Sequence, residues 1–177
     1  MTFSLDRTVE ILERTPTTLQ CLIAGLNSDW TSANEGPDTW SVFDIIGHLI
    51  HGEKTDWIPR AEQILSDNDD KLFTPFDRFA QFENSRNRDL ASLLSEFAEL
   101  RQANIEKLKS FNLTDTDLQK TGIHPSFGSV TLEQLLATWA VHDLNHLSQI
   151  ARVMAKQYKD AVGPWIEFLG ILRVGNF

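Results

Sequence analysis

Two histidines four residues apart occupy the segment His142-Asp143-Leu144-Asn145-His146. On an α-helix, residues at this spacing lie one turn apart on the same face, with Cβ atoms about 5–6 Å apart. Two imidazoles so placed can converge on one point from a rigid backbone. They belong to the stripe Leu132, Leu135, Trp139, His142, His146, Gln149, Val153, whose alternating steps of three and four mark the inward seam of a packed helix. Polar rings on such a seam need partners, because burying them without one is unfavourable. A metal ion is one such partner.

A third imidazole, His48, lies on the edge of an apolar helix face beside Ile45 and over Gly52. A glycine one turn away leaves room next to a ring. His48, His142 and His146 would together form a facial set of three nitrogen donors. Zinc and nickel accept such donors, and catalytic zinc sites with three protein ligands keep one position for water or substrate. Spacing alone leaves a second reading open: a metal-free histidine cluster hydrogen-bonded to Asn145, Gln149 or Asp44. His51 points away from the apolar face and is expected at the surface, and His124 precedes Pro125 in a loop with no role assigned.

The elements that must position these rings are helices. Apolar stripes predict a helix over 4–26, interrupted or kinked at Thr15-Pro16, and a second over 42–65 that Pro59 should bend. A third is expected over 87–111 and a fourth over 132–158. Ser41 with Asp44, and Thr131 with Gln134, have the spacing of capping boxes. The stretches 27–40, 66–85 and 112–130 read as loops, the second holding Phe73, Phe76, Phe79 and Phe82. A turn or two of helix is expected over 164–172, and no segment alternates strictly enough to be read as a strand. The fold class is therefore all-α, a four-helix bundle, spanning residues 1–177 as one domain.

Bulk properties narrow the function. A net charge of −9 without a basic stripe argues against a nucleic-acid partner. No run of about 18 apolar residues predicts a membrane span, and the first residues lack the apolar core of a secretory signal. Cys21, the single cysteine, has no disulfide partner within the chain and is expected as a small buried apolar residue, which fits a cytoplasmic protein. Phosphate-cradling glycine loops, a Gly-x-Ser-x-Gly elbow and paired cysteines are all absent.

Two blocks carry a resemblance. Trp40-Ser41-Val42 leads to His48-Leu49 and Glu53, and His142-Asp143-Leu144-Asn145-His146 continues into Leu147-Ser148-Gln149-Ile150. In order, spacing and helical placement the chain resembles the DinB superfamily. These are helical bundles related to damage-inducible DinB proteins, and to S-transferases and maleylpyruvate isomerases that use bacillithiol, mycothiol or glutathione. The resemblance implies that His48, His142 and His146 are metal ligands, and that the metal is nickel or zinc with water or a low-molecular-weight thiol completing its shell. It also implies a homodimer and a small-molecule substrate, but fixes no activity, since many members look like binding scaffolds.

Three functions follow as expectations. The first is a metal-dependent thiol S-transferase, with Asp44, Asp143 or Gln149 orienting an imidazole N–H, Arg78 available to hold an acidic group and Trp139 lining the pocket. The second is a metal-dependent hydrolase. His142-Asp143-x-x-His146 is similar to the zincin His-Glu-x-x-His, although the shorter aspartate and the upstream third ligand argue against a protease. The third is a bundle that binds metal or ligand without catalysis. Trp57 and Trp165 have no role derivable from the chain.

Overall fold

The computed structural model describes residues 2–173. Met1 and residues 174–177, part of the span assigned to the domain, lie outside the described residues. The first helix, α1 (Leu5–Ile23), is capped by Ser4, whose side chain accepts from the Arg7 amide. It runs through Pro16 without the expected break. Proline at this position cannot donate to the carbonyl of Leu12, four residues back. That freed carbonyl accepts instead from Arg101 Nη1 at 3.0 Å. Cys21 is exposed, not buried as expected. Leu19 and Ile23 are fully buried, and the residue midway between them points to the opposite face of the helix.

A short helix, α2 (Ser28–Ser32), leads to α3 (Val42–Thr55). Ser41 and Asp44 form the capping box that their spacing predicts, which assigns the Asp44 carboxylate to the helix end and not to an imidazole. The expected helix over 42–65 is two, with α4 (Trp57–Leu65) beginning after Asp56. Pro59 lies in the first turn of α4, where its missing N–H is harmless, and its ring excludes the carbonyl geometry that would have carried α3 onward. After α5 (Ala80–Asn84), Asp89 caps α6 (Leu90–Ser110), and α7 (Asp115–Leu118) follows.

Residues 121–131 differ from the loop that the sequence suggests. Strands β1 (Thr121–His124) and β2 (Gly128–Thr131) pair antiparallel. Gly128 closes the short turn at φ +73°, a left-handed conformation that glycine adopts without strain. Four-residue strands are too short to display alternation, so periodicity misses them. The hairpin is tied back by Ile123, which bonds Lys71 and Phe73 through its backbone. At Gly122 a Cβ would lie 2.4 Å from the Phe73 ring, so only glycine lets that buried ring seat.

Thr131 then caps α8 (Leu132–Lys156) with the predicted Gln134 box. Two 3-10 segments, Gly163–Phe168 and Gly170–Leu172, replace the turns of helix expected near the C-terminus. The four long rods α1, α3–α4, α6 and α8 form a four-helix bundle, with α1 and α3 each packed on both α6 and α8. Among the described residues, no helix is long and apolar enough to cross a membrane.

Candidate metal centre

His48 on α3 and His142 and His146 on α8 meet inside the bundle. His48 Nε2 is 3.2 Å from His142 Nε2, which is 3.1 Å from His146 Nε2. Neutral imidazole has one ring donor and one ring acceptor. His146 Nδ1 faces Gln149 Oε1 at 2.8 Å, which puts its proton on Nδ1 and a lone pair on Nε2. His142 Nε2 has either one proton or one lone pair to set against two neighbours, so it cannot satisfy both contacts at full strength. A cation at the centre accepts all three lone pairs together. With metal–nitrogen distances of about 2.0–2.1 Å, donors at roughly 90–109° stand about 3.0–3.4 Å apart. The observed spacings fall within that interval, and the three donor atoms could hold a metal ion.

The rings are held in the neutral form. Burial, then the nearby His146, His51 and Arg78, lowers the pKa of His48 to about 3. Burial, then His146, His48 and Arg101, lowers that of His142 to about 2. Burial also lowers the pKa of His146, opposed by its bond to Gln149 and by Asp143. Among the described residues only His146 has its outer nitrogen held by a side chain, because the Nδ1 atoms of His48 and His142 are buried without a protein partner. Aromatic packing orients those two rings. Trp40 lies 4.7 Å and Phe76 5.3 Å from His48, and Trp57 stands edge-on to His142 at 5.1 Å.

Two expected partners of the histidines do other work. Asp143 bonds Arg101 through both carboxylate oxygens, and Arg101 also bonds Glu53 at 2.8 Å. With the Leu12 carbonyl, the four terminal N–H groups of Arg101 meet four acceptors. Glu53 further accepts from Trp139 Nε1 and the Asn104 amide. Trp139 is thus fully buried beneath the centre and stacked on Trp57, and does not line the pocket. This cluster ties α1, α3, α6 and α8 together one turn from the histidines. The sequence holds a signal for it. Arg101 and Asn104 continue the α6 seam of Leu94, Phe97 and Leu108 in steps of three and four. A cation on a buried seam calls for anions on the facing helices.

His51 stays outside the cluster, half-buried against Phe76 at 4.8 Å. His124 stacks on Phe127 at the hairpin tip. Gly52 makes its room for Trp57, whose Nε1 would lie 3.2 Å from an added Cβ, and not for His48.

Two cavities flank the histidines. A polar one of about 510 Å³ is lined by His48 and His146 with Trp40, Arg78, Asn145 and Gln149. The guanidinium of Arg78 lies 5.7 Å over the Trp40 ring at its margin. A second cavity, of about 290 Å³, lies against His48 and His142.

The DinB superfamily model matches residues 11–150, which contain all three histidines, α3–α4 and α6 entire, and most of α1 and α8. The chain belongs to the DinB superfamily. YfiT from Bacillus subtilis, described as a probable metal-dependent hydrolase with an unusual four-helix bundle topology, is 20% identical with a TM-score of 0.71, over 90% of this chain and 87% of that one. A DinB-like protein from Bacillus cereus is 17% identical with a TM-score of 0.57, over 89% and 95% of the two chains. The four-helix bundle protein TT2238 is 19% identical with a TM-score of 0.55, over 84% and 98%. At these identities the likeness is one of fold. No curated protein matches the chain.

Proposed function

We propose that His48, His142 and His146 hold a divalent metal, zinc or nickel, and that this DinB-superfamily protein uses it to activate a low-molecular-weight thiol for transfer to an electrophile. The observation that carries the reading is the approach of the His48 and His146 Nε2 atoms to His142 Nε2 at 3.2 and 3.1 Å, with all three donors within 4.8 Å of one another, more lone pairs than hydrogen bonds among themselves can satisfy. When bound, such an ion lowers the proton affinity of a coordinated thiol or water, making thiolate or hydroxide available near neutral pH.

The protein's own groups supply the rest. Gln149 fixes the His146 tautomer so that Nε2 faces the centre. Asn145 and Arg78 line the polar cavity, where the guanidinium supports recognition of an acidic group on the thiol. The cavity volume falls within the range of small-molecule sites, about 300–1,000 Å³. Support for a thiol in particular comes from the family resemblance. The likeness to YfiT favours hydrolysis as a second reading, with water in the place of the thiol.

Elemental analysis of protein purified without an affinity tag tests the metal. One equivalent per chain is expected, with loss in His146→Ala. Wild-type metal content in that variant would overturn the ligand assignment. Incubation with bacillithiol, mycothiol or glutathione and an electrophile then separates the two chemistries: S-transfer consumes thiol in step with product, whereas hydrolysis forms product with no thiol present.

A further inference from the structure

The second cavity has a chemistry of its own. It lies between α3–α4, α8 and the β1–β2 hairpin, and Trp57, Phe73, Phe76, Phe127, Val130 and Leu135 make its wall apolar. Its charged pair is already occupied. Arg60 Nε lies 2.6 Å from Asp56 Oδ1, and Arg60 Nη2 bonds the Thr74 carbonyl while its guanidinium covers the Phe73 ring at 5.1 Å. Its hydroxyl is spent too, since Thr138 Oγ1 donates to the Gln134 carbonyl within α8. A charged ligand entering here would lose its water, and the unpartnered Nδ1 atoms of His48 and His142 in its wall are themselves buried and offer no exposed charge in return.

Size narrows the occupant. An apolar cavity of about 150 Å³ holds a benzene molecule. At about 290 Å³ this one has room for a ring with a short substituent. At its mouth, Phe127 of the hairpin tip is 78% exposed and stacks on His124 at 4.4 Å, an apolar surface with no occupant of its own in the fold. Position completes the case. His48 and Phe76 line both cavities, while His146 lines only the polar one and His142 only the apolar one. The histidine cluster is the partition between them.

We propose that this cavity binds the neutral aryl or branched-alkyl arm of the substrate, delivering it to the face of the histidine cluster opposite the polar cavity. Its role as the acceptor subsite rests on the proposed function, but the binding itself is independent of any metal.

Fluorine NMR titration of the purified protein tests it with para-fluorotoluene, para-fluorobenzoate and para-fluorobenzylamine as probes. Saturable binding of the toluene is expected, with both charged probes weaker by about tenfold or more, the scale set by an unpaired charge against a neutral isostere. Thr138→Phe plugs the mouth from an exposed helix position and should weaken toluene binding by about tenfold or more, with thermal stability and metal content unchanged. No saturable binding, equal binding of the carboxylate, or full binding by a folded Thr138→Phe protein would overturn the subsite. Absence of metal from wild-type protein would overturn the metal reading and leave the subsite standing if the toluene still binds.

Discussion

Replacing Arg101 with methionine keeps the length of the side chain and removes its charge from the centre of the bundle. Arg101 and Asp143 are 1% and 0% exposed. Burial works against the Arg101 cation, yet Glu53 and Asp143 together raise its pKa above the ordinary arginine value. Arg101→Met leaves Asp143 without its two charge-assisted bonds and leaves Glu53 with Trp139 and Asn104 alone. It also orphans the Leu12 carbonyl that Pro16 had already deprived of its helical donor. Breaking one buried pair costs about 3–5 kcal/mol, and an unpaired buried carbonyl adds about 1–3 kcal/mol. The expected loss is therefore at least about 4 kcal/mol, from a stability of about 5–15 kcal/mol for a domain of this size. Urea unfolding followed by far-ultraviolet circular dichroism at pH 7.5 reads the loss as a lower midpoint at unchanged slope. The triple variant Arg101→Met, Glu53→Gln, Asp143→Asn removes the stranded charges and should recover about 2 kcal/mol or more. A loss under about 1 kcal/mol in the single variant, or a triple variant no more stable than the single, would refute the claim that mutual neutralisation holds this cluster in the core.

The remaining predictions concern the histidines and the hairpin. Gln149→Leu removes the partner of His146 Nδ1 and should weaken zinc or nickel binding by about 10–100-fold in a chelator competition, with little change in the fold. In metal-free protein, His48 and His142 have pKa values below the 6.5 of the unfolded chain, so they contribute stability above pH 6.5 that is lost as pH falls. Between pH 6.5 and 4.5 the two amount to about 5 kcal/mol at 1.36 kcal/mol per unit each. Asp56 has the opposite sign: burial raises its pKa from 3.8 to about 6, and falling pH returns about 2 kcal/mol. A net loss of at least about 3 kcal/mol on acidification, to which the lowered pKa values of His146, Glu35 and Glu96 add in the same direction, is expected in urea midpoints of the chelated protein, and a flat or rising profile would contradict neutral burial of the imidazoles. Gly122→Ala drives a methyl group into the Phe73 ring and should lower stability by about 1–3 kcal/mol in the same assay.

What the chain determined by itself was local and periodic. Steps of three and four placed His142 and His146 on one face, and the capping boxes at Ser41 and Thr131 set where two of the long helices begin. Backbone geometry over a few residues suffices for such features, so they survive translation from sequence to structure. The resemblance to the DinB superfamily, resting on two such blocks, holds across residues 11–150. Other features depend on what faces what across the bundle. Asp143, one residue from His142, turns away from the imidazoles because Arg101 of α6 supplies a cation that no neighbour in sequence offers. Pro16 leaves α1 intact because the same guanidinium takes the carbonyl it frees. The β1–β2 hairpin, too short to announce itself by alternation, closes the apolar cavity through residues 121–131. Helix period is written in each segment, but the pairing of buried charges and the shape of a cavity exist only once separate segments are brought into contact, which tertiary packing alone decides.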